Sequence, residues 1–218
     1  MKRSERWRKM KYDLNIDETQ IEKSFYKPTK MTIFSWKGEI DTVMTPIDSM
    51  KYYKSFLRPG MMSMDPLNGH IKAWVGGMNY KHFQYDMVKL GKRQIGSTFK
   101  PFVYAAAINQ LKVSPCDTFP DSRFCIEKNK YGNLKEWCPK NSGGIYGKTR
   151  TLKNSLANSV NTISARLIDR IGPITVIKLV NNLGIEQYIN PLPSIALGTP
   201  DISVYEMVAA YLNILEKI

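Results

Sequence analysis

Residues 93 to 102, RQIGSTFKPF, hold a serine and a lysine three positions apart, Ser97 and Lys100. On a helix, positions i and i+3 share a face, so this hydroxyl and this amine can meet. A serine is a weak nucleophile at neutral pH and needs an adjacent base. A lysine can be that base once burial or a neighbouring cation lowers its pKa. Pro101 sharpens the geometry, because proline is tolerated only in the first turn of a helix. The helix must therefore begin close to Ser97, with Gly96 allowing a tight approach. The hydroxyl then lies at the positive end of the helix dipole, where free backbone N–H groups can stabilise an oxyanion. Taken alone, the tetrad reads more readily as a helix N-cap followed by a solvated lysine. A second tetrad, Ser24 to Lys27, precedes Pro28 at the end of a helix rather than its start, and is given no role.

The elements that would position this pair can be read from periodicity. Residues 1 to about 30 are basic and helix-like, with Asp17 and Gln20 spaced as a capping box and Pro28 as the stop. MTIFSW, residues 31 to 36, reads as a strand. Gly38 and Pro46 break regular structure, and a short helix follows around MKYYKSFL. From residue 60, GMMSM, DPLNG and HIKAWVGG read as strand, turn and strand. Residues 97 to 111 read as a helix with a strongly apolar face. Residues 112 to 150 are loop-rich and insertion-like. Helices follow at 151 to 171, with a break near Asn158, and at ITVIKLVNNLG, with Gly184 as the stop; ISVYEMVAAYLNILEKI is the last. A lone hairpin does not stand in water, so helices or further strands must cover the first one.

A chain of 218 residues suits one medium domain, or one domain with an appendage. The net charge of +13 implies attraction to something acidic without choosing among nucleic acid, anionic lipid and anionic polymer. The basic residues are spread through the chain, and no helix-turn-helix, RNA-binding or zinc signature appears, which argues against a nucleic-acid partner. Cys116, Cys125 and Cys138 are too widely spaced, with no histidine nearby, to read as a zinc site. One disulfide with a spare thiol and three unpaired thiols both remain open. No apolar run is long enough to span a membrane, and no apolar segment follows the basic start to make a signal peptide.

The order of a strand pair with a DPxxG turn followed by RQxGSxxKPF resembles the start of the transpeptidase domain in class A, bifunctional penicillin-binding proteins, for which S-x-x-K is a motif. The family's second motif, S-x-N, is matched by Ser159-Val160-Asn161 within TLKNSLANSVNTISARL. CPKNSGGIYG, residues 138 to 147, and ALGTPDISVYEMVAAY, residues 196 to 211, resemble further family segments. The resemblance implies an α+β fold, an antiparallel sheet flanked by helices as in serine β-lactamases, with its last strands missing here. It implies residues 1–59 as an interdomain linker region and 60–218 as the N-terminal part of the transpeptidase domain. By the same resemblance Ser97 attacks the D-Ala-D-Ala bond of a peptidoglycan stem peptide, Lys100 takes its proton, Ser159 relays a proton to the leaving D-alanine, and Asn161 orients Lys100 and binds the substrate amide. β-Lactam antibiotics would acylate the same serine. No metal or organic cofactor is implied. The parent would work in the cell envelope, at the outer face of the cytoplasmic membrane, held only through an anchor upstream of this chain.

The sequence departs from the family in one motif. K-[ST]-G is absent; Lys148-Thr149-Arg150 precedes Ser159 and carries arginine in place of the glycine. The expectation is that the isolated chain is inactive, with an apolar sheet face exposed and poor solubility. The rivals are a serine β-lactamase, in which S-D-N is usual where this chain has Val160, and a non-catalytic basic binding module or remnant.

Overall fold

The structure, a computed structural model, describes residues 1–216. It divides into two compact units, Met1–Pro59 with Gly77–Gln84, and Gly60–Gly76 with the chain from Tyr85 onward.

The first unit begins with helix α1 (Glu5–Arg8), capped by Ser4, whose Oγ accepts from the Trp7 N–H. It runs into a single π turn (Lys9–Asp13) and then α2 (Glu18–Ser24), capped by Asp17 through the Thr19 N–H. Trp7, Ile21 and Phe25 bury one another between these helices. Strands β1 (Thr29–Ser35) and β2 (Gly38–Met44) form an antiparallel hairpin that pairs Ser35 with Gly38. The expected break at Gly38 is thus corrected. Its φ of +115° lets it close the Trp36–Lys37 turn as the first residue of β2. Pro46 likewise opens rather than interrupts a helix. Thr45 caps α3 (Pro46–Ser55), and the proline occupies the first turn, where its missing N–H costs nothing. Phe34, Tyr53, Phe56 and Phe83 close the unit with edge-on ring packing.

The second unit contains the expected hairpin, β3 (Met61–Met64) and β4 (Ile71–Val75), its turn fixed by the Asp65 carboxylate accepting from the Leu67 N–H. Two further antiparallel pairs were not legible beforehand: β5 (Lys92–Gln94) with β8 (Asp201–Ser203), and β6 (Thr118–Pro120) with β7 (Thr149–Thr151). The helices are α4 (Lys100–Leu111), α5 (Leu152–Ala157), α6 (Asn161–Ile171), α7 (Pro173–Asn182) and α8 (Val204–Glu216). The expected last helix gives up Ile202 and Ser203 to β8; its positions 217 and 218 lie outside the described residues.

The core is built on α4, whose Phe102, Val103, Ala106 and Ala107 are sealed against Ile163, Leu167 and Ile168 of α6 and Val176 and Val180 of α7. Each large aliphatic side chain buried this way contributes roughly 1.5–3 kcal/mol. The small Ala106 and Ala107 let α4 and α6 approach closely, and these are the two helices that open on Lys100 and Asn161. α8 packs against β3 and covers the hairpin. Between β6 and β7 the chain is loop, tied by a disulfide between Cys125 and Cys138 beside the Ile126–Trp137 bridge, while Cys116 is free and exposed. Among the described residues, no helix is long and apolar enough to cross a membrane.

Candidate active site

A four-residue 3₁₀ turn, Gly96–Phe99, carries Ser97, and α4 begins at Lys100 with Pro101 in its first turn. In a 3₁₀ turn, side chains three apart eclipse one another, so the tetrad's spacing sets both groups on one side. Ser97 is exposed, whereas Lys100 beneath it is only 1% exposed. The turn is held from behind. The Gly96 N–H donates to the Gly198 carbonyl at 2.9 Å, and Tyr211 Oη donates to the Thr98 carbonyl at 2.6 Å.

Ser159 lies in the short break between α5 and α6 with φ +52°, the left-handed region that costs a non-glycine residue about 1–3 kcal/mol. That conformation aims its carbonyl and its hydroxyl at the same point. Lys100 Nζ donates to Ser159 O at 2.7 Å, to Ser159 Oγ at 2.9 Å and to Asn161 Oδ1 at 2.6 Å. These three acceptors use all three ammonium donors. Ser159 Oγ in turn donates to Ser97 Oγ at 2.9 Å. Among the hydrogen bonds of the described residues none joins Lys100 directly to Ser97, so the amine reaches the nucleophile through Ser159. No carboxylate pairs with Lys100 among the described residues. Burial without a counter-charge pushes its pKa down from 10.5 to about 8. The arrangement can move a proton between an exposed hydroxyl and a buried amine across one intervening hydroxyl, and can support serine attack on a carbonyl.

The penicillin-binding protein transpeptidase domain matches residues 60–203, and the penicillin-binding protein middle domain matches residues 1–57. The chain belongs to the penicillin-binding protein transpeptidase family. Among curated relatives it is 32% identical over 158 residues to penicillin-binding protein 1A of Aquifex aeolicus, covering 71% of this chain and 21% of that protein. It is also 32% identical to penicillin-binding protein 2D of Bacillus subtilis, covering 72% and 22%. The chain thus spans about a fifth of the length of the curated relatives it matches. Among solved structures, penicillin-binding protein 1A from Haemophilus influenzae aligns with a TM-score of 0.64 at 31% identity, over 70% of this chain and 22% of that one. PonA1 from Mycobacterium tuberculosis, in complex with penicillin V, aligns with a TM-score of 0.61 at 21% identity, over 95% of this chain and 56% of that one, a likeness of fold.

All four residues singled out from the sequence, Ser97, Lys100, Ser159 and Asn161, therefore meet in one hydrogen-bonded cluster within the penicillin-binding protein fold. The second tetrad does not join them. Ser24 Oγ donates to the Ile21 carbonyl at the end of α2, and Lys27 is exposed. Lys148-Thr149-Arg150 is structural, with Thr149 and Arg150 in β7 and the Arg150 guanidinium on the buried Asp121. Sequence reasoning missed Gly198 and Asn141. A Cβ on Gly198, which has φ +74°, would fall 1.7 Å from the Gly96 carbonyl oxygen. Asn141 Oδ1 accepts from the N–H groups of Asn161 and Thr162, both at 3.1 Å, and so caps α6. The only hint of either was their place in segments that resemble the family.

Proposed function

We propose that this chain carries the nucleophile, base and relay of a peptidoglycan D,D-transpeptidase, and that β-lactams acylate it at Ser97. The observation that carries the reading is the wholly buried, counter-charge-free Lys100 bonded to Ser159, which is bonded to the exposed Ser97. With a pKa of about 8, about a tenth of Lys100 is the free amine at pH 7.

In that form Ser97 Oγ attacks the carbonyl between the last two D-alanines of a stem peptide. Its proton passes to Ser159 Oγ, and the Ser159 proton passes to Lys100 Nζ. When the tetrahedral adduct collapses, the C–N bond breaks. The leaving D-alanine amine takes a proton from Ser159, which Lys100 restores. The Ser97 ester is then attacked by the amine of a neighbouring stem, forming the crosslink, or by water, giving carboxypeptidase action. Asn161 holds Lys100 through Oδ1. One of its Nδ2 protons goes to the Lys140 carbonyl at 2.8 Å, leaving the other for the substrate amide. A β-lactam presents a similar amide, and its opened ring stays attached to Ser97. The structure of PonA1 with penicillin V supports this from a protein of the same fold. The work site is the cell envelope, outside the cytoplasmic membrane, where the Cys125–Cys138 bond is stable.

The test is turnover of a peptide ending in D-Ala-D-Ala, with and without an acceptor amine, by the intact protein and its Ser97→Ala variant. Release of D-alanine that Ser97→Ala abolishes is the expected result. Rapid hydrolysis of a chromogenic cephalosporin with no D-alanine release would overturn it in favour of a β-lactamase.

A further inference from the structure

Asp121, just after β6, has no exposed surface. Its Oδ1 accepts from Asn141 Nδ2 at 2.7 Å and Thr162 Oγ1 at 2.8 Å; its Oδ2 accepts from the Gly147 N–H at 2.9 Å and Arg150 Nε at 2.7 Å. A buried carboxylate is a poor way to gain stability, because desolvation offsets most of what an ion pair returns. An apolar plug would hold this loop against β7 equally well. What an apolar plug cannot do is orient an amide.

Asn141 is the amide in question. It presents one oxygen and one NH₂, and its neighbours decide which way they face. Asp121 and the Ile145 carbonyl can only accept, so the Nδ2 of Asn141 turns toward them, at 2.7 and 3.1 Å. The Oδ1 is thereby aimed at the Asn161 and Thr162 N–H groups. These N–H groups belong to the first turn of α6, where they have no intrahelical partner. The N-cap position is Val160, whose side chain offers no acceptor. The first turn of α6 therefore depends on a cap supplied from about twenty positions upstream, and Asn161 sits in that turn with its own Oδ1 on Lys100.

We propose that Asp121 is a positioning residue for this site, fixing Asn161 against Lys100 by holding, together with the Ile145 carbonyl, the orientation of the Asn141 cap. The inference rests on the reading of Ser97 and Lys100 above and adds a residue to it. Burial would raise the Asp121 pKa. The hydrogen bonds from Arg150, Thr162, Asn141 and Gly147 overcome that and hold it at about 2, so the acceptor-only form persists across the physiological range.

In Asp121→Asn the charged acceptor at 2.7 Å becomes an amide that can present either end, and the Ile145 carbonyl at 3.1 Å is left as the acceptor that fixes Asn141. The experiment measures acylation by benzylpenicillin in the intact protein, split into binding and chemical steps, and titrates Lys100 by carbon-13 NMR of its ε-carbon. D121N is expected to slow the chemical step by about 10- to 100-fold, the scale of a misplaced catalytic group, with little change in penicillin affinity and a moved Lys100 titration. Asn141→Ala, which leaves the Asp121–Arg150 pair in place, is expected to reproduce the slow chemical step even if D121N fails to fold. Parent-like chemistry with an unmoved titration in D121N or N141A would overturn the proposal. If penicillin does not react with any form, the functional reading has failed, and the Lys100 titration still decides the role of Asp121.

Discussion

At the scale of single residues the site depends on a lysine that is buried without a counter-charge among the described residues. Burial lowers the Lys100 pKa from 10.5 to about 8, so the folded protein binds fewer protons than the unfolded chain between those values. The contribution of this group to stability therefore rises with pH through that window. In the proposed mechanism the same shift sets the chemistry, because only the free amine can take the Ser97 proton. The rate of acylation by benzylpenicillin is expected to climb as pH rises toward 8 and to level above it, followed by stopped-flow at saturating ligand. A profile flat from about pH 6 to 9 would remove Lys100 from the role of base. The spacing of Ser97 and Lys100 and the proline after them set both on one side of a helix start, but alone they read more readily as a cap and a solvated lysine; the resemblance of the surrounding segments to the family made the pair legible. Ser159 and Asn161 were legible as a motif, but the left-handed turn that aims Ser159 at Lys100 leaves no mark in periodicity.

At the scale of elements the site is held by short pieces that cross the sequence. β5 and β8 have three residues each and no alternation, so neither could be read as a strand, yet their pairing brings Gly198 onto Gly96. The contact joins residues far apart along the chain, a separation that sequence spacing does not encode. Gly198→Ala places a methyl group inside the Gly96 carbonyl and asks alanine to adopt φ +74°. We expect it to cost about 2 kcal/mol or more and to displace the Ser97 turn, read as a lower urea midpoint together with slower penicillin labelling. Retention of both would show that this contact positions nothing. The misreadings at Gly38 and Pro46 have a common origin. Each residue type reads as a breaker, where one turns a hairpin and the other starts a helix, and only the neighbours Ser35 and Thr45 distinguish those uses.

At the scale of the whole molecule, a layer of helices, the largely buried α4 and the amphipathic α6 and α7, forms one core in the larger unit and presents the starts of α4 and α6 to a common point. The helices themselves followed from periodicity; that Asn161 meets Lys100 was implied by the resemblance to the family. What sequence could not supply was the loop between β6 and β7. Its turns are fixed by side chains rather than by pattern: Asp121 and Asn141 tie it to Asn161 and Thr162 of α6, Arg150 ties Asp121 to β7, and Cys125 pairs with Cys138. The core and the loop together lead to one claim, that Ser97 is a nucleophile activated by Lys100 through Ser159. The most direct measurement is peptide mapping by mass spectrometry of the intact protein after incubation with benzylpenicillin, alongside its Ser97→Ala, Lys100→Ala and Ser159→Ala variants. The account expects a single penicilloyl adduct on Ser97, absent from Ser97→Ala and slowed about 100-fold or more in the other two. An adduct on another residue, or labelling of Ser97 at an unchanged rate without Lys100, would contradict it.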